Sequence, residues 1–395
     1  MHPPTTIRTD DPRELLALIP FQLGFHPDES IVAVSLRGRR SRVGLVARTD
    51  LADLADPAGG PQVARSLVAH LVADGATGLA LVLYTDEDLQ SDEGAGRGRA
   101  ARLHLQAAAD YFLGEADCWV VGPGGYFNLD CEDRTCCPLG GRPLSGLEST
   151  RVGAQMVLSG ATVAASRDEL GRVTTADAAA RRSARRAAGR WAVRGQVAAD
   201  AAEAHRWRRE GLAAWRTELM RASAAFESSA GTGTAVGQGA GRGPSTWLAP
   251  SATVLGRLQA AAADVLVRDA VLLTVLGADR VADAVVAGRG ADEVGRALGA
   301  LVDPREGVAP PQAMLAGASQ LLHQVVGHTT RRLQVPALTL LAVLAWWNGD
   351  GARSGAYVDA ALGIDPGYRL AGLIHDALLA GMPPGWLRAG AGESA

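Results

Sequence analysis

The most constraining feature of this chain is that its strand pattern stops. Short β-rich runs recur at 30–36, 43–47, 79–84, 118–121 and 126–129, and none follows Thr162 and Val163. Beyond that point the apolar residues keep helical spacing. A chain ordered this way has to confine its sheet to the N-terminal part. The predicted fold class is therefore α+β or α/β: an N-terminal mixed β-sheet domain with helices, followed by an all-α region of helical hairpins. With 395 residues there is room for two cores. The expected segments are an α/β domain over 1–165, a long helical region over 166–227, a glycine-rich linker or loop over 228–246, and an all-α domain over 247–395. Six glycines between 231 and 243 set the linker, because such a stretch cannot build a core.

Local signals fill in the elements. Asp11 is placed to cap a first helix, with Pro12 at its first position, Glu14 at the capping-box position and Pro20 as its stop. The runs 30–36 and 43–47 predict a hairpin. A helix over 61–73 leading into 79–84 predicts a parallel strand pair buried on both faces. Another helix is expected over 100–113, and Gly122-Pro123-Gly124-Gly125 reads as a turn between two strands. Ser166-Arg167-Asp168-Glu169 is a capping box, and Thr174-Thr175-Ala176-Asp177 opens a helical region running to about Ala225. The apolar run 335–347 is shorter than the roughly 20 residues of a membrane helix and is interrupted by Pro336 and Thr339, so it predicts a buried helix. Ala342, Gly349, Ala361, Leu362 and Pro366 then fall on the small, turn and terminating positions of a tetratricopeptide-like hairpin, with Ala361 expected against Ala342.

All 39 basic side chains are arginine, since the chain contains no lysine. A Walker A loop, a protein-kinase strand lysine and imine chemistry are thereby excluded. The net charge of −3 argues against wholesale binding to nucleic acid or membrane. The N-terminal segment has neither the basic start nor the apolar core of a targeting signal, which predicts a cytoplasmic protein.

Five features are candidates for chemistry. Cys131, Cys136 and Cys137 are close in sequence, and packed reduced thiols, a metal site or a redox pair all fit them. Zinc needs four tetrahedral ligands, so Cys118, His104 or a distant residue would have to complete the set; no cofactor is required, and zinc is the one to test. The loop bearing Phe25, His26, Asp28 and Ser30 is a second candidate. Its spacing does not suit a catalytic triad, and Asp28 or Ser30 is expected to bond nearby backbone N–H groups. Third, eleven arginines against four acids between 181 and 221, interleaved with Trp191, Trp207 and Trp215, read as a solvated helical face, with nucleic acid as the alternative partner. Last, His323 and His328 lack a zinc-protease frame, and the acidic run at Asp86, Glu87, Asp88, Asp92 and Glu93 reads as a solvated loop.

Three stretches carry a family resemblance: Pro20-Phe21-Gln22-Leu23-Gly24-Phe25-His26-Pro27-Asp28-Glu29-Ser30 before a hydrophobic strand, the Asp130 to Pro138 cysteine segment with Gly140, and Ala-Trp, Gly-Asp-Gly and Asp-Pro-Gly-Tyr-Arg-Leu near the end. Together they resemble an uncharacterised family found mainly in actinobacteria, domain-of-unknown-function family 4192. The resemblance implies no reaction, substrate or catalytic residue. The functional expectation is an interaction or regulatory protein with a protein or small-molecule partner. An enzyme or a thiol or metal sensor built on the cysteines, and a nucleic-acid-associated protein, are the alternatives.

Overall fold

The structure, a computed structural model, describes residues 11–38, 41–90, 96–159, 161–231 and 247–392. Most of the glycine-rich stretch, together with Asp92, Glu93 and the first ten residues, lies outside them. The chain divides into two compact units, Met1–Ser166 and Arg167–Ala395.

The first unit runs α1 (Pro12–Leu23), β1 (Ser30–Arg37), β2 (Arg42–Asp50), α2 (Leu51–Ala55), α3 (Gly60–Ala73), β3 (Ala76–Tyr84), α4 (Arg97–Leu113), β4 (Asp117–Gly122), β5 (Gly125–Asn128), α5 (Ser145–Glu148) and α6 (Arg151–Leu158). Its five strands form one mixed sheet in the order β2-β1-β3-β4-β5. Residues 30–35 are all buried, so β1 is covered on both faces and takes an inner position. Ile31 and Ala33 join Leu79, Leu81, Leu83, Cys118 and Val120 in a core shared with α3 and α4. On the opposite side Leu18 of α1 packs with Val43 of β2 and Val152 of α6.

Three expectations change here. The hairpin forms, but the helix after β2 does not deliver β3 as its parallel neighbour. β3 pairs antiparallel with β1, which stands between the two, and the adjacent parallel pair is β3 with β4 across α4. Pro20 does not stop α1, which closes only after Leu23, where the Gly24 N–H donates to the Pro20 carbonyl at 2.8 Å. Glu14 does not close a box on its own helix. Its carboxylate accepts from the N–H groups of Arg151 (3.0 Å) and Val152 (2.8 Å), capping α6 instead.

The second unit has no strand among its described residues. It comprises α7 (Arg167–Leu170), α8 (Ala178–Gln196), α9 (Ala201–Gly231), α10 (Ala252–Ala262), α11 (Val265–Val275), α12 (Asp279–Val286), α13 (Ala291–Val302), α14 (Gln312–His328), α15 (Val335–Trp347), α16 (Gly351–Leu362), α17 (Arg369–Leu379) and α18 (Gly385–Gly392). The long region over 166–227 is therefore not one helix. It breaks after Val197, and a new start is fixed by Asp200, which accepts from the Glu203 N–H (2.7 Å), while Glu203 accepts from the Ala199 N–H (2.9 Å). α8 packs on α10 and α9 on α14. The α8–α10 approach needs Gly256, because a Cβ there would run into the Ala184 carbonyl.

α15 is the buried helix the sequence predicts, with every residue except Pro336 inside. It packs on α16 across a turn at Asn348 to Asp350, but the residue meeting Ala342 is Ser354. Ser354 is fully buried and its Oγ donates to the Ala342 carbonyl at 2.9 Å. Ala361, also buried, lies seven residues further along α16, about 10 Å from that contact, because the chain folds back there.

Candidate functional site

The cysteine corner grows out of the end of β5. The Asn128 side-chain oxygen accepts from the Asp130 N–H (2.9 Å), and its carbonyl takes the Cys131 N–H (3.3 Å). Asp133 repeats the device: its carboxylate accepts from the Thr135 N–H (2.8 Å), while its carbonyl takes the N–H groups of Cys136 (3.1 Å) and Cys137 (2.7 Å). Two successive tight turns thus fold Cys136 and Cys137 back over Cys131. The ligand atoms of all three lie within 4.8 Å of one another.

The following segment is held equally firmly. The Gln90 side-chain amide donates to the Pro138 carbonyl (3.0 Å) and accepts from the Gly140 N–H (2.7 Å). Gly141, at φ +81, lets the backbone pass against Gly125 and Tyr126, where any Cβ would collide with main chain. Arg142 then exchanges two backbone hydrogen bonds with Tyr126 (2.8 and 2.9 Å). Its guanidinium turns back to the corner, donating to the Cys136 carbonyl (2.6 Å) and to Cys136 Sγ (3.3 Å).

The three sulfurs differ in setting. Cys137 is fully buried, and Cys131 and Cys136 are half-buried against the same core. Burial, reinforced by the neighbouring Cys131 and Cys136 thiols, pushes the Cys137 thiol above its ordinary range. Neither suggested fourth ligand joins them. Cys118 sits in β4, where burial pushes its thiol up to about 12, and His104 Nδ1 is committed to the Leu54 carbonyl at 2.7 Å. Among the described residues the cluster has three members. Of the nearby carboxylates, Asp130 is committed to Arg102 (2.6 Å) and Asp133 to its own turn, while Glu132 is exposed.

The loop at Phe25, His26, Asp28 and Ser30 does not converge. Phe25 and Ser30 are buried, while His26 and Asp28 are exposed. Phe25 pairs with Ala164 as an isolated bridge, and Ser30 Oγ has no hydrogen-bond partner among the described residues. The backbone-binding role expected of Asp28 or Ser30 belongs to Glu29, which sits at φ 38. Its carboxylate accepts from Thr85 Oγ1 (2.8 Å), the Asp86 N–H (3.1 Å) and Arg97 Nη2 (2.9 Å).

Glu87 likewise corrects the solvated-loop reading, accepting from the N–H groups of Arg97 (3.2 Å) and Gly98 (3.0 Å) as the cap of α4. The signal that would have found it is a carboxylate upstream of the glycines that open that helix. His323 and His328 have separate partners, Tyr357 and the Gln324 carbonyl. No helix among the described residues is long and apolar enough to cross a membrane.

No curated protein and no solved structure matches the chain. The profile of a domain of unknown function, DUF4192, matches residues 12–385, and since that is nearly its whole length the chain belongs to this family.

Proposed function

We propose that this chain is a regulatory protein whose responsive element is the three-cysteine corner, which takes a zinc-like divalent ion. The observation that carries the reading is the convergence of three sulfurs within 4.8 Å. Sulfurs around a tetrahedral zinc at about 2.3 Å stand roughly 3.8 Å apart, so only a small closing movement separates the corner from a ligand set. Three thiolates leave one position open, the arrangement of a site that exchanges a ligand. A small molecule or a partner's side chain is the proposed occupant of that fourth position.

The charge fits as well. Three thiolates on a divalent ion leave one negative charge, and Arg142 brings one positive charge to Cys136 Sγ. Asp130, Asp133 and Arg142 already have partners, so none of these three is an idle acid or base beside the sulfurs. Free thiols suit a reducing cytosol, the proposed setting. We assign partner binding to the helical unit, where α15 and α16 would act as a tetratricopeptide-like pair.

Elemental analysis and thiol counting on protein purified without an affinity tag test the proposal. The expected result is close to one zinc per chain, released by chelator and lost in Cys131→Ser, with three thiols becoming reactive on release. Protein that takes up no zinc while its thiols are reduced overturns it. A disulfide within the cluster in freshly isolated protein would instead support a redox role.

A further inference from the structure

The arginines between 181 and 221 form two populations. On α9, Arg208 pairs with Asp264 (2.9 Å), Arg216 with Asp279 (3.1 Å) and Asp283 (2.7 Å), and Arg221 with Glu218 (2.9 Å). On α8, Arg181, Arg182, Arg185, Arg186 and Arg190 are exposed and make no ion pair among the described residues. α8 contains no acidic residue. Its N-cap, Asp177, is committed to the N–H groups of Ala179 and Ala180, both at 2.8 Å. The local positive charge inferred from sequence therefore stands mainly on one helix, uncompensated from within.

We propose that this face of α8 is a binding surface for the phosphodiester backbone of nucleic acid. Ala184, Ala187, Ala188 and Trp191 are the buried side of the helix; on a helical wheel Arg182 and Arg186 fall opposite them, Arg185 and Arg190 on the two flanks, and Arg181 in the first turn at the edge of the buried side, all five exposed. They span ten residues, about 14 Å of helix between the first and the last, along which a duplex presents roughly eight phosphates. Three of their spacings, 181/185, 182/186 and 186/190, are i,i+4 pairs of like charge, each of which works against the isolated helix. A helix that holds such pairs without a counter-charge of its own is suited to one supplied from outside.

The chemistry of the face selects among anions. Guanidinium forks match phosphate oxygens in pairs. A protein partner would bring an apolar centre to the contact, whereas the segment 181–190 carries no large apolar side chain, and the exposed Val193 and Val197 lie beyond it. The helix is also firmly seated, since Arg194 and Arg257 lie over the Trp191 ring at 4.6 and 4.1 Å and Trp207 stacks on it at 5.8 Å. Recognition by such a face follows the backbone and not the base sequence.

Fluorescence anisotropy of the full chain with a short labelled duplex of arbitrary sequence tests this. Binding is expected at low salt, weakening roughly 500-fold between about 50 and about 200 mM salt if five phosphates are neutralised. Replacing the five arginines together by Gln should weaken binding at low salt at least tenfold and flatten the salt dependence. The circular dichroism melt should not fall, because the side chains are exposed and their removal relieves three like-charge pairs. Failure of the native chain to bind at low salt overturns the proposal, as does equal binding by the folded variant. Polyglutamate bound more tightly than the duplex would overturn it in favour of an acidic protein partner.

Discussion

In the centre of the helical unit, several buried polar groups have fixed single partners, although Trp191 Nε1 has none among the described residues. Trp215 Nε1 donates to the Leu258 carbonyl (3.0 Å), Ser354 Oγ to the Ala342 carbonyl (2.9 Å), and the Tyr357 hydroxyl meets His323 Nε2 at 2.6 Å. At the cysteine corner three polarisable groups crowd together, and Cys136 Sγ receives a charged donor from Arg142. Both regions are held by well-made local hydrogen bonds, so the contrast is not one of order. It lies in whether a group's bonding capacity is used up inside the chain or left over. Used capacity should appear as stability when removed, and unused capacity should appear as loss of a ligand.

The largest effect is expected at Trp215, which is fully buried. Trp215→Ala removes the ring and its bond to the Leu258 carbonyl, and should cost about 3–5 kcal/mol. Urea denaturation measures it. A cost below about 1 kcal/mol would show that the helical core does not depend on its paired groups and would dissolve the comparison.

The next effect is a pH dependence. Burial, with Arg353 nearby, lowers His323 to about 4, and Ser319 supplies a backbone acceptor for the ring. With its other nitrogen thus protonated, Nε2 accepts from the Tyr357 hydroxyl, and the folded state holds the ring neutral. As pH falls below about 6.5 the unfolded chain takes up a proton that the folded chain refuses until about pH 4. This contribution is thus complete above about 6.5 and disappears across that window, by about 3 kcal/mol in all. The difference between the native chain and His323→Asn, followed by urea denaturation from pH 7.5 downward, isolates it. Parallel curves for the two proteins would show that His323 titrates normally and that the core admits its charge.

The same distinction explains what could be read from the sequence. The strand runs, the loss of alternation after Thr162 and the buried helix at Val335–Trp347 were legible because they depend on local period and apolar content. The three cysteines were legible as a group because they are close in sequence, and two turn-forming residues, Asn128 and Asp133, bring them together. Choices of partner over distance were not legible. Glu14 sits at a correct capping-box spacing yet caps a helix more than 130 residues away. β3 lies beside β1 because both strands have two faces to bury. The helix break at Asp200 did have a signal, the spacing Asp200-Ala201-Ala202-Glu203, hidden within an alanine-rich helical pattern.

The smallest stability effect is expected at the corner itself, and it separates the two regions most cleanly. Cys136→Ser removes a half-buried sulfur but leaves the turn intact, because the turn is held by the Asp133 carbonyl and carboxylate. Arg142 keeps its bond to the Cys136 carbonyl, and the new hydroxyl can still accept from the guanidinium. In chelator, where no ion contributes, the variant should unfold within about 0.5 kcal/mol of the native protein. With zinc added, the native chain alone should gain stability, because an ion that binds only the folded state raises it by mass action and the variant has lost a ligand. The pair of melts therefore reads one residue twice. A loss above about 2 kcal/mol in chelator would place Cys136 with Trp215 as a structural group. Equal stabilisation of both proteins by zinc would move the ion away from this sulfur.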